Sequence, residues 1–125
     1  LLNGMTVADV LDFRRDWFVR DLWGDGPGVA LYNYGLGEPI SDWDQILPGD
    51  PVQFWRFNGS GHSVIFVAWA TDVDGTIVGV DYWSTQPSTD GIGYQREYFG
   101  VGGSDMDPAH FYAARAWMPD DWLPW

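Results

Sequence analysis

From Pro48 to Phe99 the chain reads as short runs of β-branched and aromatic residues separated by residues that reverse the backbone. Val52-Gln53-Phe54-Trp55-Arg56-Phe57 alternates, Asn58-Gly59 follows it, and His62 to Trp69 is a longer apolar run. Asn-Gly tolerates the positive φ that a tight hairpin turn demands, and alternation at period two gives a strand one dry and one wetter face. Asp72-Val73-Asp74-Gly75 makes the next turn and Thr76 to Trp83 returns. Ile92 to Phe99 comes back once more after the loop Gln86-Pro87-Ser88-Thr89-Asp90-Gly91. Connections this short join antiparallel neighbours. After a loop from Gly100 to Pro108, His110 to Trp117 fits strand and helix alike, because Phe111-Tyr112-Ala113-Ala114-Arg115-Ala116-Trp117 follows neither period cleanly.

The segment before Pro48 has a different texture. Thr6-Val7-Ala8-Asp9 has the form of a capping box, a hydroxyl at the N-cap and a carboxylate three residues on. With Val7, Val10, Leu11, Trp17, Phe18 and Leu22 as its apolar positions, it predicts a helix over 6–22. Gly24-Asp25-Gly26-Pro27-Gly28 is expected to end that helix. Val29 to Tyr34 then forms a second, stopped by Gly35 and Gly37, and Asp42 to Leu47 one further turn. Helices first and antiparallel strands after make an α+β layer packing. The expected organisation is one domain over 1–125: a helical part at 1–47, an antiparallel sheet at 48–117 and a Trp-rich tail at 118–125.

Nine Trp, seven Phe and six Tyr in 125 residues are enough to bury a real core. Eighteen acidic residues against six basic ones, all Arg, give a formal net charge of −12. That charge repels phosphate backbones and anionic bilayer surfaces, so neither nucleic acid nor a membrane is an expected partner. No apolar run approaches the ~20 residues needed to cross a bilayer. The absence of Lys points to a GC-rich or salt-adapted bacterial source. The chain opens at Leu1-Leu2-Asn3-Gly4, with Met5 as its first methionine, which has the look of a processed or trimmed product with a segment missing upstream. There is no cysteine, so a disulfide, a thiolate metal site and a thiol nucleophile are all excluded within these residues. No cofactor and no metal is expected.

The most informative segment is Pro48-Gly49-Asp50-Pro51-Val52-Gln53-Phe54-Trp55, followed by Ser60-Gly61-His62-Ser63-Val64-Ile65-Phe66-Val67. It resembles the NlpC/P60 and CHAP amidase-peptidases: a Pro-Gly-Asp turn, an apolar strand, a hairpin, and a Gly-His-Val-like start to the next strand. The resemblance covers residues 48–95. It implies a papain-like fold in which His62 is the general base and a polar residue on the neighbouring strand orients its ring. It also implies a cysteine nucleophile at the start of the first core helix, where the helix dipole would favour the thiolate. The residues agree with a role for His62 in their own right. Gly59, Ser60 and Gly61 leave its flank open, and an imidazole exchanges protons near neutral pH.

For the orienting residue three candidates stand. Counting back from Gly91-Ile92 favours Ser84. Side-chain chemistry favours Gln86, whose amide oxygen can accept an imidazole N–H, and Asp81 aligns with the acidic member that CHAP domains use. Gly61, Trp55 and Trp83 are the candidate substrate contacts. Near the expected nucleophile position Thr6 carries the hydroxyl, and an N-cap explains it better. The resemblance therefore implies that the Cys-bearing helix precedes Leu1, on a missing segment or a separate chain. The implied activity is hydrolysis of an amide bond in a peptide or peptidoglycan-like substrate, in the bacterial envelope or outside the cell. The rival is a catalytically inactive module that keeps the fold and uses a Trp-rich cleft for glycan or peptide.

Weaker signals have structural explanations of their own. Asp72-x-Asp74-Gly75 has some of a calcium loop, but the position that needs a glutamate is Trp83, so a hairpin turn is expected. His110 beside Asp107 lacks the spacing of a metal site. Nothing in the sequence brings Glu97 and Asp50 together as a glycosidase pair. Trp117, Trp122 and Trp125 of the tail either meet a ligand or dock on the chain's own core.

Overall fold

A computed structural model describes residues 6–18, 21–86 and 91–123. Two helices, α1 (Val7–Trp17) and α2 (Gly26–Asn33), precede a sheet made of β1 (Gly37–Ile40), β2 (Pro51–Arg56), β3 (Gly61–Thr71), β4 (Ile77–Gln86), β5 (Gly91–Tyr98) and β6 (Met106–Ala116). All pairs are antiparallel, in the order β1-β6-β2-β3-β4-β5, so the fold is α+β. Among the described residues no helix is long and apolar enough to cross a membrane.

Local chemistry explains most of these elements. Thr6 accepts a hydrogen bond from the Asp9 backbone N–H while its own N–H donates to the Asp9 carboxylate at 2.8 Å, which completes the capping box. The helix ends at Trp17, short of the expected 22. α2 starts at Gly26, earlier than the expected Val29. Asp25 caps it by accepting from the Gly28 N–H at 3.0 Å, and Pro27 sits in its first turn, where a missing N–H costs nothing. The glycine- and proline-rich stretch that reads as a terminator is therefore also an initiator. The turn at 72–75 is a hairpin turn: the Asp72 carboxylate accepts from the Asp74 and Thr76 N–H groups, and Gly75 takes a φ of +81°.

The sheet reaches back into the segment expected to be helical, through the short edge strand β1. β6 is strand throughout, because it lies between β1 and β2 and is apolar on both sides. Phe111 and Ala113 face one layer, and Ala114 faces α2. The sheet curls. Phe99, just past β5, bridges back to Met106 at the start of β6, and the concave side fills with Val52, Phe54, Val64, Phe66, Val80, Tyr82, Met106 and Phe111. Trp43, on a short 3-10 turn, covers that core by stacking on Trp69 and Phe99 at 4.8 and 5.3 Å.

On the convex side α2 packs on β1, β6 and β2, and a second cluster forms from Leu31, Leu36 and Ala114 with Phe13, Trp17, Tyr34 and Trp122. The tail belongs to this layer. Trp122 donates to the Trp117 carbonyl and the Leu123 N–H donates to the Gly35 carbonyl, so the described part of the tail docks on its own domain. Trp125 lies outside the described residues.

Candidate functional site

The Pro-Gly-Asp turn is held by its aspartate. Asp50 is almost fully buried; it accepts from the Leu47 N–H at 2.8 Å and from both Arg115 nitrogens, Nε at 3.2 Å and Nη2 at 2.8 Å. A bidentate pair of this kind ties the turn to β6 and sets where β2 begins. Glu97 is committed elsewhere: Arg56 donates to it from Nε at 2.6 Å and Nη2 at 2.8 Å, and the Tyr82 hydroxyl at 3.0 Å. Asp50 and Glu97 thus sit in separate ion pairs and make no common carboxylate site.

From that turn the register follows. Phe54 of β2 lies opposite His62 of β3, and Ile65 lies opposite Trp83 of β4. Alternation then puts His62 on the concave side with Phe54, Tyr82 and Ser84, at the end where β2 and β4 finish and β3 and β5 begin. The imidazole is half-buried and meets the Phe54 and Tyr82 rings edge-on, at 6.1 and 6.2 Å between centroids. Its Nε2 lies 2.5 Å from the Ser84 Oγ. Ser84 is 7% exposed, so this hydrogen bond is largely shielded from competing water.

A cleft of about 550 Å³ opens on the convex side of the same strand ends; His62 and Ser84 are among its lining residues, but their side chains alternate to the concave face, away from those of Gln53, Ser63, Ile65 and Trp83. Its walls include Trp17 and Phe18 from the end of α1, Trp55, Trp83 and Ile92. Gln53 and Ser63 add a second polar pair: the Ser63 hydroxyl donates to Gln53 Oε1 at 2.6 Å, and Gln53 Nε2 donates to the Phe54 carbonyl. Gly61 is required by this geometry. A Cβ there would lie 2.7 Å from the Trp55 ring and 2.9 Å from Gln53 Nε2.

The sequence-derived candidates separate accordingly. His62 and Ser84 are brought together. Asp81 is directed elsewhere, since Arg96 grips it from Nε at 2.6 Å and Nη2 at 2.9 Å, and that contact holds its carboxyl below the usual carboxylate range. Gln86 ends β4, and its side chain lies outside the described residues. Trp83 is exposed and lines the cleft. Trp55, another candidate substrate contact, also lines it but is only 8% exposed, and its Nε1 donates to the Gly24 carbonyl at 2.9 Å. Trp23, which takes a φ of +67°, packs between Trp55 and His110. His110 Nδ1 lies 2.8 Å from Asp107 and holds that carboxyl below its ordinary range. Among the described residues no cluster of three or more His, Asp or Glu side chains is arranged to hold a metal ion.

Sequence reasoning missed Gln53, Ser63 and Thr85. The signal for the first was present, a polar residue in the middle of an otherwise apolar strand. Thr6 is engaged as a cap, its hydroxyl 2.7 Å from Asp9. Comparison with protein-family models, with curated proteins and with solved structures gave no match to this chain.

Proposed function

We propose that this domain is the sheet half of a papain-like cysteine amide hydrolase of the NlpC/P60 or CHAP kind, acting on a peptide or peptidoglycan-like substrate in the bacterial envelope or outside the cell. One observation carries the reading: a half-buried imidazole at the start of β3, held at 2.5 Å by a shielded serine of the neighbouring strand, at the sheet end where a cleft opens. A general base needs a fixed ring and access to a reacting group, and a hydrogen bond to Nε2 supplies the first. The sequence around it, Pro48-Gly49-Asp50 and Gly61-His62, supports the same reading.

The chain contains no cysteine, so the nucleophile comes from a segment outside these residues. In the proposed reaction the thiol passes its proton to His62 and the thiolate sulfur attacks the amide carbonyl carbon. The C–N bond then breaks as His62 returns that proton to the leaving amine. Water, deprotonated by His62, cleaves the thioester to give the acid and restore the thiol. Ser84 is a positioning residue here.

The test is hydrolysis of cross-linked peptidoglycan peptides by the product of the complete reading frame. His62→Gln is expected to lower the rate by about 10²–10⁴-fold with little change in melting temperature. Ser84→Ala is expected to lower kcat more modestly and to shift the acidic limb of the pH–rate profile. Undiminished hydrolysis by His62→Gln, or a reading frame without a cysteine, sinks the proposal.

A further inference from the structure

β5 is an edge strand, and among the described residues no helix packs extensively on the convex face it shares with β4. Register aligns them in rows: Thr85 opposite Ile92, Trp83 opposite Tyr94, and Asp81 opposite Arg96, with Tyr98 next along β5. Trp83 and Tyr94 sit 4.4 Å apart between ring centroids, at 49°. They are 38% and 63% exposed, and Tyr98 is 53% exposed. From Tyr94 to Tyr98 is four residues of strand, about 14 Å, with Arg96 between them. Arg96 grips Asp81 through Nε and Nη2. A hollow of about 230 Å³ opens beside Asp81, Tyr94 and Arg96. Trp83 belongs to the cleft of His62 and Ser84, and Tyr94 to this hollow.

We propose that this strip, Trp83, Tyr94, Arg96, Asp81 and Tyr98, is a subsite for a neutral oligosaccharide that runs out of the cleft of His62 and Ser84. It rests on the hydrolase reading above and names the substrate as a glycan-linked peptide. Sugar rings present apolar C–H faces and a rim of hydroxyls. The exposed aromatic faces match the first, and a planar carboxylate–guanidinium pair at their centre, with acceptor and donor edges side by side, matches the second. A net charge of −12, with Arg96 already neutralised by Asp81, disfavours an anionic polymer. The same charge opposes a second copy of the chain on this face. A peptide added to the edge of β5 would use its backbone groups and leave the ring faces unused.

The experiment is titration calorimetry and amide chemical-shift mapping on the complete protein carrying His62→Gln. The probes are N-acetylglucosamine tetrasaccharide, an anionic tetrasaccharide of the same length, and a sugar-free stem peptide. Saturable binding of the neutral sugar is expected, with shifts on β4 and β5. Trp83→Ala and, separately, Tyr94→Ala should each weaken it about tenfold or more, with near-ultraviolet circular dichroism checking the fold. No sugar binding, binding unchanged in both variants, preference for the anionic sugar, or shifts on the strip from the peptide alone would each overturn it. The two readings fail separately. If the native protein hydrolyses peptide but binds no sugar, the subsite falls and the hydrolase stands. If sugar binds at the strip while His62→Gln leaves hydrolysis intact, the hydrolase falls and the subsite stands.

Discussion

The convex face of the sheet is two surfaces with different fates. Over β1, β6 and β2 it is roofed by α2, and its apolar residues are buried: Leu31 is 4% exposed and Ala114 fully enclosed. Over β3, β4 and β5 the roof stops, yet Ile65, Trp83, Ile92, Tyr94 and Tyr98 remain in the open. Apolar side chains in the first half reduce the exposed surface of the folded state. In the second half they contribute little to folding, and a contiguous exposed aromatic patch is where a ligand gains most. The cleft opens where the first surface gives way to the second. What holds β5 in place of a helix is polar: Arg56 of β2 reaches past β3 and β4 to Glu97, with Tyr82 beside it.

The contrast can be broken by substitution. Leu31→Ala, under the roof, should cost about 3 kcal/mol in urea denaturation, and a cost below about 1 kcal/mol would mean that the roof is not structural. Glu97→Gln leaves Arg56 without its charged partner. It should cost about 2 kcal/mol and raise amide exchange in β4 and β5 more than in β6. Equal protection loss in all three strands would remove the view that this ion pair stands in for a helix. Trp83→Ala, on the bare half, should move stability by no more than about 0.5 kcal/mol. A larger loss would reassign the strip from binding to folding.

The smallest effect is a pH dependence in the roofed half. Burial pushes the Asp25 carboxyl up, partly offset by its bond from the Gly28 N–H. A raised carboxyl favours the folded state while it is protonated, below the unfolded value near ~3.9, and loses that advantage as pH rises through the folded value. Against Asp25→Asn, which keeps the cap acceptor, the native protein should therefore be matched in stability at pH 3 and relatively weaker at pH 7. A native protein that gains on the variant as pH rises would reverse the sign and refute the burial argument.

The elements legible in advance are those whose cause is local. The Thr6–Asp9 box, the Asn58-Gly59 and Asp72–Gly75 turns and the alternation of β2 each need a handful of neighbouring residues and nothing else. β1 was invisible because Gly37-Glu38-Pro39-Ile40 has no strand pattern and becomes a strand by pairing with β6. β6 was ambiguous for the complementary reason: layers on both of its faces erase the alternation. At the site, His62 was legible from its flanking glycines and its motif. That Ser84 meets it, that Arg96 takes Asp81 away, and that Trp55 is tied to Gly24 depended on register and curl.

Taken alone, the order of residues determined the turns, the strand-rich second half, the acidic surface, the absence of a thiol and the one histidine that opens a strand. Tertiary structure decided which residues share a face across strands, where the helical roof ends, and so which aromatic rings are core and which stand at the edge of a cleft. The reason is range. A capping bond or a hairpin turn closes within a few residues, whereas burial is shared among segments distant in sequence, and no single segment carries the record of which partner will cover it.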